Sequence, residues 1–212
     1  MLNLVVVQIL SGVFLGVGAL GFVLWRSTFR RPREALHVKA RRIPVRSAEI
    51  TWMSGALVMV LWPVGVLVLP EFAYHWPNVS DIPLSWAIQL VGFAISTAGG
   101  LLFFTAARAL GRFLTPEIQV QEGHRLVQEG PYRYIRHPVY TAGSTVGIGL
   151  SALYLSPVLA GIVLVLACIA NYRARVEEAL LSSPDAFGSV YSKYMSRTGR
   201  FLPRFHHRRE HQ

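Results

Sequence analysis

Charged residues are scarce in this sequence, and lysine and arginine are missing from three long stretches. Only 15% of the 212 residues are charged and 52% are hydrophobic, whereas a soluble domain carries roughly a quarter charged residues. No Lys or Arg occurs in residues 1–25, 47–107 or 137–172. Because long apolar blocks indicate membrane-spanning helices, this pattern excludes an ordinary soluble domain.

The positive charges are confined to the intervening segments, residues 26–46, 108–136 and 173–209. The positive-inside bias places these segments in the cytoplasm, and it places residues 71–85, which contain Glu71 and Asp81 but no Lys or Arg, outside. A net charge of +10 could indicate nucleic-acid binding, but its alternation with apolar blocks favours membrane topology. We expect neither nucleic acid nor a metal as a partner.

Cysteine is nearly absent, since Cys168 is the single one in the sequence. An intramolecular disulfide is therefore excluded. The N-terminal apolar run is not preceded by basic residues; its positive charges begin afterwards, at Arg26. We interpret this run as a first span with its N-terminus outside, not as a cleaved signal peptide.

The apolar pattern predicts an all-α integral membrane protein with five transmembrane segments, forming one domain over residues 1–212. Three spans make up the N-terminal part, residues 1–107, and Pro63 should kink the second. Residues 137–171 contain no charged residue and are too long for one straight span, so we expect a helical hairpin broken at Ser156-Pro157. The predicted spans are residues 4–25, 51–69, 86–107, 139–155 and 157–172.

A connector, residues 108–136, and a polar tail complete the predicted architecture. Phe187, Tyr191 and Tyr194 are spaced i, i+4, i+7, which predicts one face of a C-terminal helix. Pro203 should end that helix.

Several glycines lie inside the apolar runs. Residues 16–21 match G-x-G-x-x-G, but that fingerprint indicates dinucleotide binding only between a strand and a helix. We therefore interpret these glycines, and also Gly143, Gly147 and Gly149, as small residues that allow close helix packing.

The stretch GPYRYIRHPVY, residues 130–140, precedes the fourth span. Tyr and His residues often anchor a chain at the membrane interface, so for each of Tyr132, His137, Tyr140 and the nearby His124 anchoring and ligand binding stay open. Pro138 keeps His137 out of the helix, and the free helix amides after it can bind an anionic group.

Arg173 and Glu177 are four residues apart in RARVEE and share a helical face. They form either a solvated ion pair or a functional pair at membrane depth. A ligand such as S-adenosylmethionine fits these residue types, because its sulfonium is attracted to aromatic faces and its amino and carboxylate groups match Glu, Arg and helix amides.

The stretch LGRFLTPEIQVQEGHRLVQEGPYRYIRHPVYTAG, residues 110–143, resembles the isoprenylcysteine carboxyl methyltransferase family. RARVEEALL at 173–181, FGSVYSKY at 187–194 and Pro203 extend the resemblance. It implies a membrane enzyme that uses S-adenosylmethionine, bound between the connector, the hairpin and the tail in residues 108–205. Fewer spans than in animal members imply a prokaryotic cell membrane, with the active site facing the cytoplasm.

The resemblance also implies site residues by matching motifs. Arg173 matches a substrate-side arginine, and Arg173 and Glu177 are the candidate catalytic residues. The implied cofactor contacts are Gln119, His124, Arg125, Leu126, Val127, Tyr132, His137, Pro138, Val139, Tyr140 and Glu177.

Departures from the family pattern leave the methyl acceptor open. Ser156 stands where the family has Asn, the glycine after RHPxY is displaced to Gly143, and two residues near Pro184 are extra. The favoured acceptor is a lipophilic carboxylate of the prenylcysteine type, which needs positioning and desolvation but no general base. A phospholipid amine or a small thiol would need a proton acceptor such as Glu178 or His124. A catalytically silent lipid-binding protein is the third alternative.

Overall fold

The computed structural model describes residues 1–28, 38–41, 46–70 and 82–204. The outward loop predicted at 71–85 therefore lies almost wholly outside the described residues. Within them the chain forms six α-helices, two strands and two 3₁₀ turns. The helices are α1 Leu4–Thr28, α2 Arg46–Val68, α3 Ser85–Leu110, α4 Pro138–Leu153, α5 Pro157–Leu181 and α6 Ser189–Arg197; the strands are β1 Val38–Arg41 and β2 Gln119–Gln121; the 3₁₀ turns are Gly111–Phe113 and Gly130–Arg133.

Four helices, α1, α2, α3 and α5, are long and apolar enough to cross a membrane, as expected of an integral membrane protein. Their cores coincide with four of the predicted spans, although each helix extends further. The 16-residue α4 is about 24 Å long at 1.5 Å per residue, short of a hydrocarbon core of about 30 Å. A fifth crossing therefore stays a prediction.

The break between α4 and α5 occurs where Ser156-Pro157 predicts it. Pro157 is the first residue of α5, and the Ser156 side chain caps the helix by accepting a hydrogen bond from the Leu159 amide at 3.3 Å. The buried Pro63, predicted to kink the second span, lies within α2, which continues through it as one helix. A kink there stays a prediction.

A small β-ribbon corrects the all-α prediction. β1 and β2 pair antiparallel, with Ala40 opposite Val120 and Arg41 opposite Gln119. The sequences VKAR and QVQ are too short to show an alternating pattern, so pairing between distant segments decides their conformation. The ribbon matters for the site, because Val120 packs with Ile118 against Leu180 near the end of α5.

The tail also departs from its sequence-based prediction. α6 begins at Ser189, so Phe187 precedes the helix and does not share its face, whereas Tyr191 and Tyr194 are both buried on it. The helix ends at Arg197, well before Pro203. Residues 199–200 instead run beside the start of α4, where the amides of Arg136 and His137 donate to the carbonyls of Gly199 and Arg200 at 2.9 and 3.1 Å.

Some glycines in the helices allow close packing, whereas others contact no neighbouring helix. Gly92 of α3 and Gly149 of α4 bring the two backbones together: a Cβ on Gly149 would lie 2.6 Å from the Gly92 carbonyl oxygen. Gly147 likewise lies against Val163 of α5. The packing role predicted for Gly16, Gly18 and Gly143 is wrong, because a Cβ on any of them would meet no atom within 4 Å.

The close approach of α3 and α4 can be tested with Gly149→Ala. The added methyl group has no room, so we expect the helices to separate and the protein to lose about 1–3 kcal/mol of stability. The thermal unfolding midpoint in detergent measures the effect. The matched control is Gly161→Ala on α5, where a Cβ meets nothing within 4 Å; equal midpoints for the two variants would contradict the packing assignment.

Candidate active site

His137 lies immediately before α4, between two carboxylates of α5. Its backbone has φ −123° and lies outside the helix, and Pro138 is the first helical residue. The side chain is buried; Nε2 lies 3.2 Å from Glu178 Oε1 and Nδ1 lies 3.6 Å from Glu177 Oε2. The proline therefore fixes the chain at the point where an imidazole can contact two neighbouring acidic residues.

Glu178 is the structural member of this carboxylate pair. Its buried carboxylate accepts hydrogen bonds from Arg136 Nε at 2.8 Å and from Arg200 Nη2 at 2.6 Å, besides the contact with His137. A buried charge needs such partners. Because all of them hold Glu178 as an anion, the proton-acceptor role considered for it with an amine or thiol substrate is disfavoured.

Glu177 is less enclosed than its neighbour. Its side chain is 33% exposed, and it accepts a hydrogen bond from Tyr140 Oη at 3.2 Å. The Tyr140 ring stacks near His137, with ring centroids 5.5 Å apart, and meets Trp52 edge-on at 5.2 Å. Glu177 therefore keeps a carboxylate face beside an aromatic group, where a cationic ligand group can bind.

Arg173 does not form the predicted ion pair with Glu177. Its guanidinium binds the carboxylate of Glu49, on α2, and donates to the Pro116 carbonyl oxygen at 2.6 Å and to Tyr140 Oη at 3.4 Å. It also lies over the Trp52 ring, 5.6 Å from the centroid. Glu49, supplied by α2, thus pairs with Arg173 in place of Glu177, its neighbour on the same helix.

Sequence reasoning missed Glu49 altogether. The signal available was that it is the single acidic residue of α2 and lies in the first helical turn, three residues before an aromatic residue. Nothing local connects it with a residue 124 positions away in the sequence.

An apolar cavity of about 610 Å³ reaches this cluster from within the helix bundle. Helices α1 to α5 all contribute to its wall. Trp52 belongs both to this wall and to the group around Arg173. Gly18 and Gly143, which pack against nothing, also line it. Representative wall residues are Phe14, Trp25, Met59, Phe104, Val146 and Leu166.

His124, in the connector, forms a second part of the site. Its ring stacks on Phe113 with centroids 4.2 Å apart and meets the edge of Phe187 at 5.7 Å. Burial, together with the charge of Arg112, lowers the pKa of His124 to about 4, so the imidazole is neutral at neutral pH. Among the described residues, His124 Nδ1 and Gln121 Oε1 are buried without a hydrogen-bond partner.

The remaining predicted contacts differ in their surroundings. Tyr132 and Val127 are buried and pack together with Ala106, and the Tyr132 carbonyl accepts a hydrogen bond from Tyr194 Oη at 2.6 Å. Burial raises the pKa of the Tyr132 hydroxyl, so it stays protonated. Pro138 is buried, whereas Gln119, Leu126 and Val139 are half-buried.

Arg125 is the one predicted cofactor contact whose side chain is exposed. Its side chain is 70% exposed and pairs with Glu129 at 3.8 Å. Thus the structure joins His137, Tyr140, Arg173 and Glu177 through direct contacts, but leaves the side chain of Arg125 in solvent.

Comparison with known proteins links this arrangement to one family. The sequence profile of the isoprenylcysteine carboxyl methyltransferase (ICMT) family matches residues 90–183. Protein-S-isoprenylcysteine O-methyltransferase B of Arabidopsis thaliana is 31% identical over 166 residues, which cover 76% of this chain and 83% of that protein. The Protein-S-isoprenylcysteine O-methyltransferases of Mus musculus and Homo sapiens are each 28% identical over 130 residues, covering 60% of this chain and 44% of theirs.

A solved structure shares the fold. The eukaryotic intramembrane Ras methyltransferase ICMT superposes with a TM-score of 0.51 at 22% sequence identity, over 74% of this chain and 51% of that chain. This chain therefore spans most of the plant relative but about half or less of the animal relatives and of the solved chain. By its sequence and its fold, the chain belongs to the isoprenylcysteine carboxyl methyltransferase family.

Proposed function

We propose that this methyltransferase takes the methyl group of S-adenosylmethionine and transfers it to the carboxylate of a prenylcysteine-like lipid, at a site facing the cytoplasm. Its relatives are named for the same substrate class. The argument for this chain rests on its own cavity and polar cluster.

The observation that carries the proposal is that the apolar cavity and the Arg173 group share Trp52. The cavity volume of about 610 Å³ lies within the range of ligand pockets, about 300–1,000 Å³. The wall is built mainly from aliphatic and aromatic side chains and includes Trp52, over which the Arg173 guanidinium lies. A molecule with an apolar chain and one anionic end group matches this distribution of polarity.

The residues present also fit the cofactor. The buried, unpartnered His124 Nδ1 and Gln121 Oε1 can bond to the polar edge of an adenosyl group, since buried polar atoms need partners. Glu177 can bind the amino group of the methionine part, and the Tyr140 face can attract the sulfonium. When bound, S-adenosylmethionine supplies an electrophilic methyl group.

The chain's own residues favour a carboxylate as the acceptor. A carboxylate needs no proton removed, only orientation by a charge-assisted hydrogen bond from Arg173 and shielding from water by the cavity. An amine or thiol needs a base, but the Glu178 carboxylate is already bound by two arginines, Arg136 and Arg200, and by the His137 ring. His124, with a pKa of about 4, is a weak base at neutral pH.

A panel of acceptors tests the function directly. Purified protein in lipid nanodiscs is given methyl-labelled S-adenosylmethionine with a prenylated thioether acid, a phospholipid amine or a small thiol. We expect label in the ester of the acid alone. Labelled amine or thioether products would replace the carboxylate proposal, and the absence of every product would support a silent lipid-binding protein.

Glu177→Gln tests the proposed cofactor contact. Loss of one charge-assisted contact should weaken S-adenosylhomocysteine binding by about 1.5–3 kcal/mol, because a hydrogen bond to a charged group contributes that much. Calorimetric titration measures the change. Glu129→Gln is the control, since Glu129 pairs with Arg125 in solvent. Unchanged affinity in a folded Glu177→Gln variant would mean that Glu177 contacts Tyr140 and His137 but does not bind the cofactor.

His137→Ala and Arg133→Ala separate cofactor binding from membrane anchoring. His137 is buried among the site residues, with 4% of its surface exposed, whereas Arg133 is exposed and its guanidinium lies over the ring of Tyr134. We expect His137→Ala to abolish most affinity for S-adenosylhomocysteine and Arg133→Ala to leave it nearly unchanged. Thermal unfolding midpoints report whether each variant is folded.

The pattern of losses decides how the 130–140 stretch acts. Equal losses in both variants would mean that it acts through the fold or through contacts with lipid phosphates. No loss in either variant would place the cofactor elsewhere.

A further inference from the structure

One face of α2 connects the apolar cavity with the Arg173 group. Trp52, Ala56 and Met59 line the cavity, and their spacing of four and three residues places them on one face of the helix. Glu49 lies three residues before Trp52 and continues that face toward the start of α2. Glu49 therefore lies about one helical turn beyond the cavity wall, on the same face of α2.

Each of the three guanidinium nitrogens of Arg173 makes a hydrogen bond in this structure. Nε donates to Tyr140 Oη, Nη2 donates to the Pro116 carbonyl oxygen, and Nη1 binds the Glu49 carboxylate. The Arg173 side chain is 3% exposed. A carboxylate that arrives through the cavity therefore competes with Glu49, the one anionic group among these three partners, for the charge of this buried guanidinium.

Glu49 is the partner that a substrate carboxylate can replace without changing the charge balance. The other two partners are a backbone carbonyl and a neutral hydroxyl, and Tyr140 is also bound to Glu177. The Glu49 side chain is 27% exposed, so it has access to water when it leaves. Two carboxylates on one buried guanidinium would instead repel each other.

We propose that Glu49 is a positioning residue that occupies the place of the substrate carboxylate on Arg173 and is exchanged for it when the substrate binds. The inference rests on the proposed function. Without a substrate, Glu49 pairs with the Arg173 guanidinium, which would strongly destabilise the folded protein if it were buried without an anionic partner. Methylation turns the acid into a neutral ester, which pairs poorly with Arg173, so the return of Glu49 promotes product release.

Exchange makes a specific prediction for binding of an acid and its ester. The full chain in nanodiscs, saturated with S-adenosylhomocysteine, is titrated with N-acetyl-S-farnesylcysteine and separately with its methyl ester. Glu49→Gln removes the competing charge and should raise the affinity for the acid about tenfold, a typical worth of one charge-assisted pair. The affinity for the ester should stay unchanged, because the ester does not displace Glu49.

Matched variants separate exchange from a purely structural role. Glu129→Gln should behave like the wild type with both ligands. Equal changes for acid and ester in Glu49→Gln, or a weaker affinity for the acid, would overturn the exchange and make Glu49 structural. If wild-type protein binds neither ligand, the proposed substrate class falls together with this inference; if it binds the acid but Glu49→Gln changes nothing, the exchange alone falls.

A second variant keeps the test decisive if Glu49→Gln does not fold. Glu49→Asp retains the charge on a side chain one methylene shorter, so its pairing with Arg173 should be weaker but present. We then expect about a threefold gain in affinity for the acid, a fraction of one hydrogen bond, and no change for the ester. An unchanged acid-to-ester ratio in folded Glu49→Asp would overturn the proposal.

Discussion

The buried carboxylate of Glu178 holds together the three chain segments that make up the site. Arg136 and His137 approach it from the start of α4, and Arg200 approaches it from the segment after α6. Because an unpaired charge in such surroundings is strongly destabilising, these segments must remain together for Glu178 to stay charged. The position of His137, and hence of Tyr140 one turn further along α4, depends on this pairing.

The continuation of α5 beyond its apolar part directs Arg173, Glu177 and Glu178 toward different neighbouring segments. The helix runs without interruption to Leu181. At 100° per residue, Glu177 lies about 40° around the axis from Arg173, whereas Glu178 lies about 140° away. Arg173 can therefore bind Glu49 on α2, Glu178 can bind the tail, and Glu177 between them contacts Tyr140 and keeps a partly exposed carboxylate.

Helix packing and cavity shape are linked through small residues. Gly92 and Gly149 allow α3 and α4 to approach backbone to backbone, while Gly18 and Gly143 occur in the cavity wall, where the absence of a side chain leaves space. Both arrangements use the same property of glycine. Trp52 lines the resulting apolar space and also lies under Arg173, so helix packing brings the polar and apolar parts of the site together.

The sequence by itself determined the features that depend on local chemistry. Apolar run length predicted five spans, four of which coincide with helices long enough to cross a membrane. Ser156-Pro157 predicted the break before α5, and His137-Pro138 predicted an imidazole held at the edge of α4, because each signal lies within a few adjacent residues. Tertiary structure decided that Arg173 binds Glu49 instead of Glu177, that Val38–Arg41 pairs with Gln119–Gln121, and that Phe187 packs against His124 outside α6. These contacts join residues far apart in the chain, and neither helical spacing nor hydrophobic pattern determines which distant surfaces meet.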